Sequence, residues 1–328
     1  MLLYQRIRAR AEKGEKSILL VPEQFTSSTE GRIYRELGDA LSGMVESFSF
    51  TSLAEKILST EGGAAVQTLS DAGRAVLVRR ALEELQDNVH YYHRHRRSAA
   101  FCQMAAQTID ELKSAGLSGQ QLAQLAGACG AESGKLSELA LIFQGYETLL
   151  ARSGMDPSDR LELAGARLEE ALARHSLPEF LRDRAVFIDE FDTFNAPKKR
   201  LLGAMLAALP SVTVALCDDG APLLPGDLSL FSGAKQVAAQ LRQLARKNGA
   251  EVAVPQLLRK DLRHRNAPGL AAVAELLETG SCTADAPAGG GGPCRCRCHP
   301  AADAAGRAVR KDRGGLPRYR QVSCRSPV

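Results

Sequence analysis

At 328 residues the chain is long enough to bury a large core in two units, and its Leu- and Ala-rich, Trp-free composition favours helices. The formal charge of +4 is uneven: residues 282–328 hold nine Lys or Arg against three Asp, a net of +6, which leaves −2 over residues 1–281 and excludes a strongly basic nucleic-acid binder by bulk charge. No apolar run approaches the ~20 residues of a membrane span and no signal-peptide pattern precedes the first helix, so a soluble, cytoplasmic protein with no membrane partner is expected.

Leu3, Ile7 and Arg10 have helical spacing, and Gly14 ends that helix. Residues 17–21 (Ser-Ile-Leu-Leu-Val) read as a strand closed by Pro22, and a helix follows over 27–37 with Ser27 or Ser28 as its cap. Residues 45–50 alternate in polarity and read as a strand, after which Thr51 or Ser52 caps a helix over 53–58. From about 70 to 173 strand signals vanish and helical periodicity takes over, as in Val76-Leu77, Arg80-Ala81 and Leu85. Strands return at 186–188 and 212–216, joined by a helix over 197–209 that fits a βαβ crossover. A helix over 234–247 and a strand candidate at 251–254 complete the pattern. The expected architecture is an α/β parallel sheet, split into 1–69 and 181–281, with an all-helical insertion at 70–180. Strand 186–188, apolar throughout, is expected at its centre.

Residues 282–328 differ in kind. A Gly-rich run precedes Cys294-Arg295-Cys296-Arg297-Cys298-His299, and five of the eight cysteines fall after residue 281. Three readings stand side by side: a soft-metal site, a disordered basic tail, and the product of a frameshift in a GC-rich gene, which gives this mixture of Arg, Ala, Gly, Pro and Cys. A disordered basic tail of frameshift origin is the expectation adopted, although residues 319–326 again look strand-like. Cys102, Cys129 and Cys217 are scattered and read as small buried residues in a reducing compartment.

The most informative stretch is Val186-Phe187-Ile188-Asp189-Glu190-Phe191-Asp192-Thr193-Phe194. An apolar strand that runs into adjacent acids delivers them to the carboxyl edge of an α/β sheet, where ligands bind. In a P-loop motor the first acid serves magnesium and the second orients the attacking water, so Asp189 and Glu190 stand in the right order. A strand end with two solvated acids explains the pattern as readily. The partner motif, a glycine-rich phosphate loop, is absent: Gly14-Glu15-Lys16-Ser17 lies between a helix and a strand, the reverse of the required order. The expectation is that the sequence opens one strand and one loop late. Three other groups have bland explanations beside functional ones. His90-Tyr91-Tyr92-His93-Arg94-His95-Arg96-Arg97 reads as a solvated loop or a nucleic-acid contact. Asp156 and Asp159 read as a helix cap rather than metal ligands. Lys198-Lys199-Arg200 reads as a solvated helix face or a phosphate contact.

The order of a helix, Ile18-Leu19-Leu20-Val21-Pro22-Glu23-Gln24-Phe25-Thr26, Ser47-Phe48-Ser49-Phe50-Thr51-Ser52-Leu53-Ala54, Asp156-Pro157-Ser158-Asp159-Arg160-Leu161 and then 186–194 resembles a superfamily 1 helicase core. More narrowly it is similar to the amino-terminal helicase-like region of the B subunit of bacterial AddAB/RexAB helicase–nucleases. The resemblance covers about residues 1–280, roughly the first quarter of such a subunit. It implies a P-loop (RecA-like) parallel sheet. It places Gln24, Phe25 and Thr26 in one DNA-contacting loop and Phe50, Thr51 and Ser52 in a second, where hydroxyls and backbone meet single-stranded DNA and aromatics stack on bases. Asp189 and Glu190 match the motif that serves ATP and magnesium, with Asp189 on the metal. Cys217-Asp218-Asp219 falls where a further motif begins, but Gly220 and Ala221 stand in place of the family's phosphate-sensing glutamine. By this resemblance the phosphate loop lies before Met1, and the nuclease and its iron–sulfur cysteines lie beyond Val328. The chain is then expected to contribute DNA binding and contact with the A subunit to repair of double-strand breaks, with no tight ATP binding and neither motor nor nuclease activity of its own. The alternative is a non-enzymatic α/β protein-interaction scaffold.

Overall fold

In the computed structural model, which describes residues 2–63, 65, 67–218, 220–258, 269, 270, 273 and 318–325, short apolar runs become strands and the longer periodic runs become helices. In chain order these are α1 (Leu2–Ala11), β1 (Ser17–Leu20), α2 (Thr26–Leu37), α3 (Asp39–Ser42), β2 (Val45–Phe48), α4 (Phe50–Glu61), α5 (Asp71–Glu84), α6 (Ala99–Ser114), α7 (Gly119–Ala126), α8 (Ser133–Ser153), α9 (Pro157–Ala173), β3 (Ala185–Ile188), α10 (Ala196–Ala208), β4 (Ser211–Asp218), α11 (Ser232–Lys247), β5 (Glu251–Val252), β6 (Gln256–Leu258) and β7 (Arg318–Arg325). Among the described residues no helix is long and apolar enough to cross a membrane.

The sheet has the order β2-β1-β3-β4-β7-β5, with β6 also on β7. Its first four strands are parallel, with Leu20 opposite both Phe48 and Ile188. β3 lies between β1 and β4, as its uninterrupted apolar run requires. Period-two alternation divides the side chains between two layers. Ile18, Leu20, Val186, Ile188, Val212 and Val214 pack with α4, α9, α10 and α11. Leu19, Val21, Ala185 and Phe187 pack under α1 and α2, against Tyr4, Ile7 and Ile33.

Helices α5, α6, α7 and α8 bury a separate core around Val78, Leu82, Ile109, Phe143 and Tyr146. Helix α9, expected within the helical insertion, instead places Leu161, Ala164 and Leu168 in the sheet's core. The chain enters and leaves the helical cluster at one point. Met155 N–H donates to the Gln67 carbonyl and Leu69 N–H to the Met155 carbonyl, each at 3.0 Å. Gly154 is required there, because a Cβ would meet the Gln67 carbonyl oxygen at 2.7 Å. A buried polar knot ties α6 to α8 and α9 beside this crossing. Lys113 Nζ reaches Asp156 at 2.9 Å and Asp159 at 2.7 Å, and the Tyr146 hydroxyl donates to Asp156 at 2.6 Å. The capping role expected of Asp156 is corrected here. The residue holds the N-cap position of α9, but its carboxylate serves Lys113 and Tyr146 and caps nothing.

Three further expectations are corrected. The cap of α4 is Ser49, so the helix starts at Phe50 and not at residue 53. Of the tail expected to be disordered, Arg318–Arg325 forms β7, antiparallel to β4 over eight residues; a β-rich run finds a partner along the free edge of β4. Residues 294–299 lie outside the described residues. Cys102 is buried as expected, but Cys129 and Cys217 are exposed.

Candidate functional site at the carboxyl edge of the sheet

Parallel strands end on one side, so the residues that follow β1, β2, β3 and β4 line a common edge. After β1, Pro22 breaks the ladder and a 3-10 turn, Glu23–Phe25, leads into α2. Gln24 is exposed, and Phe25 presents its ring to solvent at 37% exposure. The Thr26 hydroxyl donates to the Glu23 carbonyl at 2.7 Å, closing the turn. After β2, Ser49 and Ser52 form a reciprocal capping box: Ser52 N–H donates to Ser49 Oγ at 3.1 Å and Ser49 N–H to Ser52 Oγ at 2.8 Å. Thr51 and Ser52 are exposed on the first turn of α4.

Phe50 departs from the sequence expectation. It is only 2% exposed and lies in the core, 5.2 Å from Phe191 and 6.0 Å from Phe194 between ring centroids. A buried ring cannot stack on a base.

After β3, Asp189 N–H continues the ladder to the Leu20 carbonyl at 3.0 Å. The chain then turns sharply: Glu190 has φ +63, a left-handed conformation unusual for a residue other than glycine and often found at functional edges. Asp189 Oδ1 accepts the Glu190 N–H at 3.1 Å. Asp189 is half-buried and Glu190 exposed. Burial pushes the Asp189 carboxyl above the usual range, and the neighbouring Glu190 charge adds to this; Arg32 opposes it. Tyr4 lies on the same side, its hydroxyl pushed up by burial, with the Arg32 guanidinium 4.7 Å over its ring.

Of the basic run at 198–200, Lys198 reaches this edge. It stands in the first turn of α10, which Asn195 caps, 5.7 Å over the ring of Phe50 and 5.5 Å over that of Phe191. Burial pushes its ammonium below the ordinary lysine value, and Glu23 resists that. Arg200 faces elsewhere, paired with Glu162 and Glu169 of α9. Position in the sequence carries the signal that separates the two: Lys198 is three places past the cap of the helix launched by the β3 loop. At the end of β4, Asp218 is fully buried and Oδ1 accepts the Gly220 N–H at 3.0 Å. Asp219, the other acid of that motif, lies outside the described residues.

The edge therefore joins an exposed aromatic, two exposed hydroxyl residues, a partly desolvated ammonium and a partly desolvated carboxylate. Among the described residues no three metal-ligating side chains converge. Asp189 alone suits a magnesium ion held mostly by water and phosphate, as such ions are, and does not suit an all-protein site.

A family model described as "ADDB, N-terminal" matches residues 1–274. The chain is 34% identical over 271 residues to a protein of Desulforudis audaxviator, covering 80% of this chain and 22% of that one. It is 32% identical over 287 residues to one of Symbiobacterium thermophilum, covering 81% and 23%, and 30% identical over 280 residues to one of Anoxybacillus flavithermus, covering 81% and 23%. All three relatives bear the name of the B subunit of an ATP-dependent helicase/deoxyribonuclease. The chain thus spans between a fifth and a quarter of the length of these relatives. The site's strands, loops and acids all fall within the matched residues, and the chain belongs to the ADDB amino-terminal family.

Proposed function

We propose that this chain is the amino-terminal α/β unit of the B subunit of a helicase–deoxyribonuclease, acting with an A subunit on the ends of broken duplex DNA. In this reading the sheet is of the P-loop, superfamily 1 helicase type, and the cytoplasm is its site of action. Its carboxyl edge holds single-stranded DNA: Phe25 stacks on a base, the Gln24, Thr26, Thr51 and Ser52 groups meet the backbone, and Lys198 neutralises a phosphate. In the longer protein Asp189 would hold magnesium and Glu190 would orient the water that attacks ATP. This chain's own residues contribute one carboxylate to that ion, so it should hold ATP·Mg weakly. The observation that carries the reading is the meeting of both loops, both acids and Lys198 at one edge of four parallel strands.

The test is fluorescence anisotropy with a single-stranded oligonucleotide. Phe25→Ala should weaken binding by about 1–3 kcal/mol, the usual worth of one stacked base. Phe50→Leu, which keeps an apolar core, should leave affinity unchanged. Equal affinity for Phe25→Ala and the parent chain, or loss in Phe50→Leu alone, overturns the assignment.

A further inference from the structure

The helical cluster carries a basic ridge that the carboxyl-edge site does not use. Residues 90–97 (His-Tyr-Tyr-His-Arg-His-Arg-Arg) contain no acid, and among the described residues none of Arg94, Arg96 and Arg97 forms an ion pair with a carboxylate. Arg94 and Arg97 are exposed, as are His90, His93 and His95. The Arg96 guanidinium lies 2.6 Å from His93, setting cationic and imidazole groups side by side.

This loop is not slack. Glu138 of α8 is buried, and its carboxylate accepts three successive backbone N–H groups, from His90 at 2.8 Å, Tyr91 at 2.9 Å and Tyr92 at 3.3 Å. Such a carboxylate fixes the loop through its backbone and forms no ion pair with Arg94, Arg96 or Arg97. Tyr91 lies against Gly134, where a Cβ would meet its ring at 2.9 Å, yet the residue is 57% exposed. Tyr92 and His95 are held by Phe101, at 5.3 and 5.6 Å between centroids. Behind the ridge Ser98 caps α6, whose amino-terminal dipole adds positive potential. An anchored row of guanidinium groups without carboxylate partners, beside an exposed ring, is suited to a regular polyanion more than to a small ligand.

We propose that residues 90–97 form a second nucleic-acid contact, a sequence-independent clamp on the phosphodiester backbone of DNA. This rests on the DNA-binding reading above but not on the carboxyl-edge site. The two are well separated. Lys113, near the carboxyl-terminal end of α6, lies at the crossing into the sheet domain, whereas the ridge leads into the other end of that helix, about 21 Å away at 1.5 Å per residue.

The experiment compares the full chain with Arg94→Ala/Arg96→Ala/Arg97→Ala and, separately, with Phe25→Ala. Each is titrated with a duplex and with a single-stranded oligonucleotide between about 50 and 200 mM salt. The triple variant should lose about tenfold in affinity at the lower salt, and its log–log salt slope should flatten by up to about 2.7, at about 0.9 for each duplex phosphate the three arginines neutralise. A second variant, Arg94→Lys/Arg96→Lys/Arg97→Lys, keeps all three charges and should retain the parental salt slope. Loss confined to duplex identifies double-stranded DNA as the ligand, and equal loss on both probes identifies the phosphodiester backbone in general. If a folded triple variant binds both probes with parental affinity and slope, the proposal fails and the ridge is left to an acidic protein surface. Because Phe25→Ala is scored separately, failure of the carboxyl-edge reading is distinguishable from failure of this one.

Discussion

Asp189 carries two penalties at neutral pH, partial burial and the adjacent Glu190 charge, and both favour its protonated form. A carboxyl whose pKa is raised on folding binds its proton more tightly in the native state. The native state therefore loses stability as pH rises from the unfolded carboxylate range near ~4 through the higher folded value, and the loss is complete above it. Asp189→Asn keeps the Oδ1 acceptor for the Glu190 N–H and removes the charge. It should raise stability at pH 7 by about 0.5–2 kcal/mol, and the difference should shrink as pH falls through ~4. Urea unfolding at pH 4 and pH 7 measures this; a variant less stable than the parent at pH 7 would show that the carboxylate is compensated where it sits. Under the function proposed above, such a cost is what a site residue would carry. Order and neighbours make Asp189 and Glu190 legible in the sequence. The burial of Phe50 is not legible there, because its motif position says nothing about which way α4 turns its first residue.

Among the elements, β1, β3 and β4 are the most legible, since their short apolar runs lie between turn signals and are too brief for a helix. Helix ends are less so. Thr51 and Ser52 have capping chemistry, but Ser49, one residue past β2, is close enough for Ser52 to answer it and wins the position. Helix α9 shows a different limit: its periodicity marks one apolar stripe and is silent on which core the stripe faces. What holds α9 to the cluster is its first turn. Burial opposes the Lys113 charge, but Asp159 and Asp156 outweigh that and push its ammonium above the ordinary value. The contribution is therefore present below about pH 10.4 and is lost only as pH rises through the higher folded value. Asp156→Ala leaves the Tyr146 hydroxyl without this acceptor and a buried ammonium with one carboxylate in place of two. It should cost about 3–5 kcal/mol. Equilibrium unfolding should register that loss, and a change under about 1 kcal/mol would mean the knot is dispensable.

For the whole molecule, the antiparallel half of the sheet depends on one strand. β5 and β6 pair only with β7 among the described residues, and β7 covers the edge of β4. Cutting the chain after residue 317 should leave that edge unpaired, lower Tm and promote concentration-dependent self-association. Scanning calorimetry with light scattering tests this; an unchanged Tm and a monodisperse solution would show that the four parallel strands suffice. The pairing is not legible in the sequence, because composition marks the last 47 residues as tail and no local pattern in 318–325 names its distant partner.

The paired backbone at Gln67, Leu69 and Met155 has a consequence for ancestry and for engineering. A chain that departs and returns through one doorway has already brought its ends together, so everything between them is a cartridge. Its length can change at little cost to the sheet, since closing a longer loop grows only logarithmically more unfavourable. Lineages can thus lengthen or shorten the loops between residues 70 and 153 while the edge bearing Asp189 stays as it is, so long as Lys113 and Tyr146 still meet Asp156. The glycine at 154, which lets the two threshold segments touch, is the hinge pin such changes must spare.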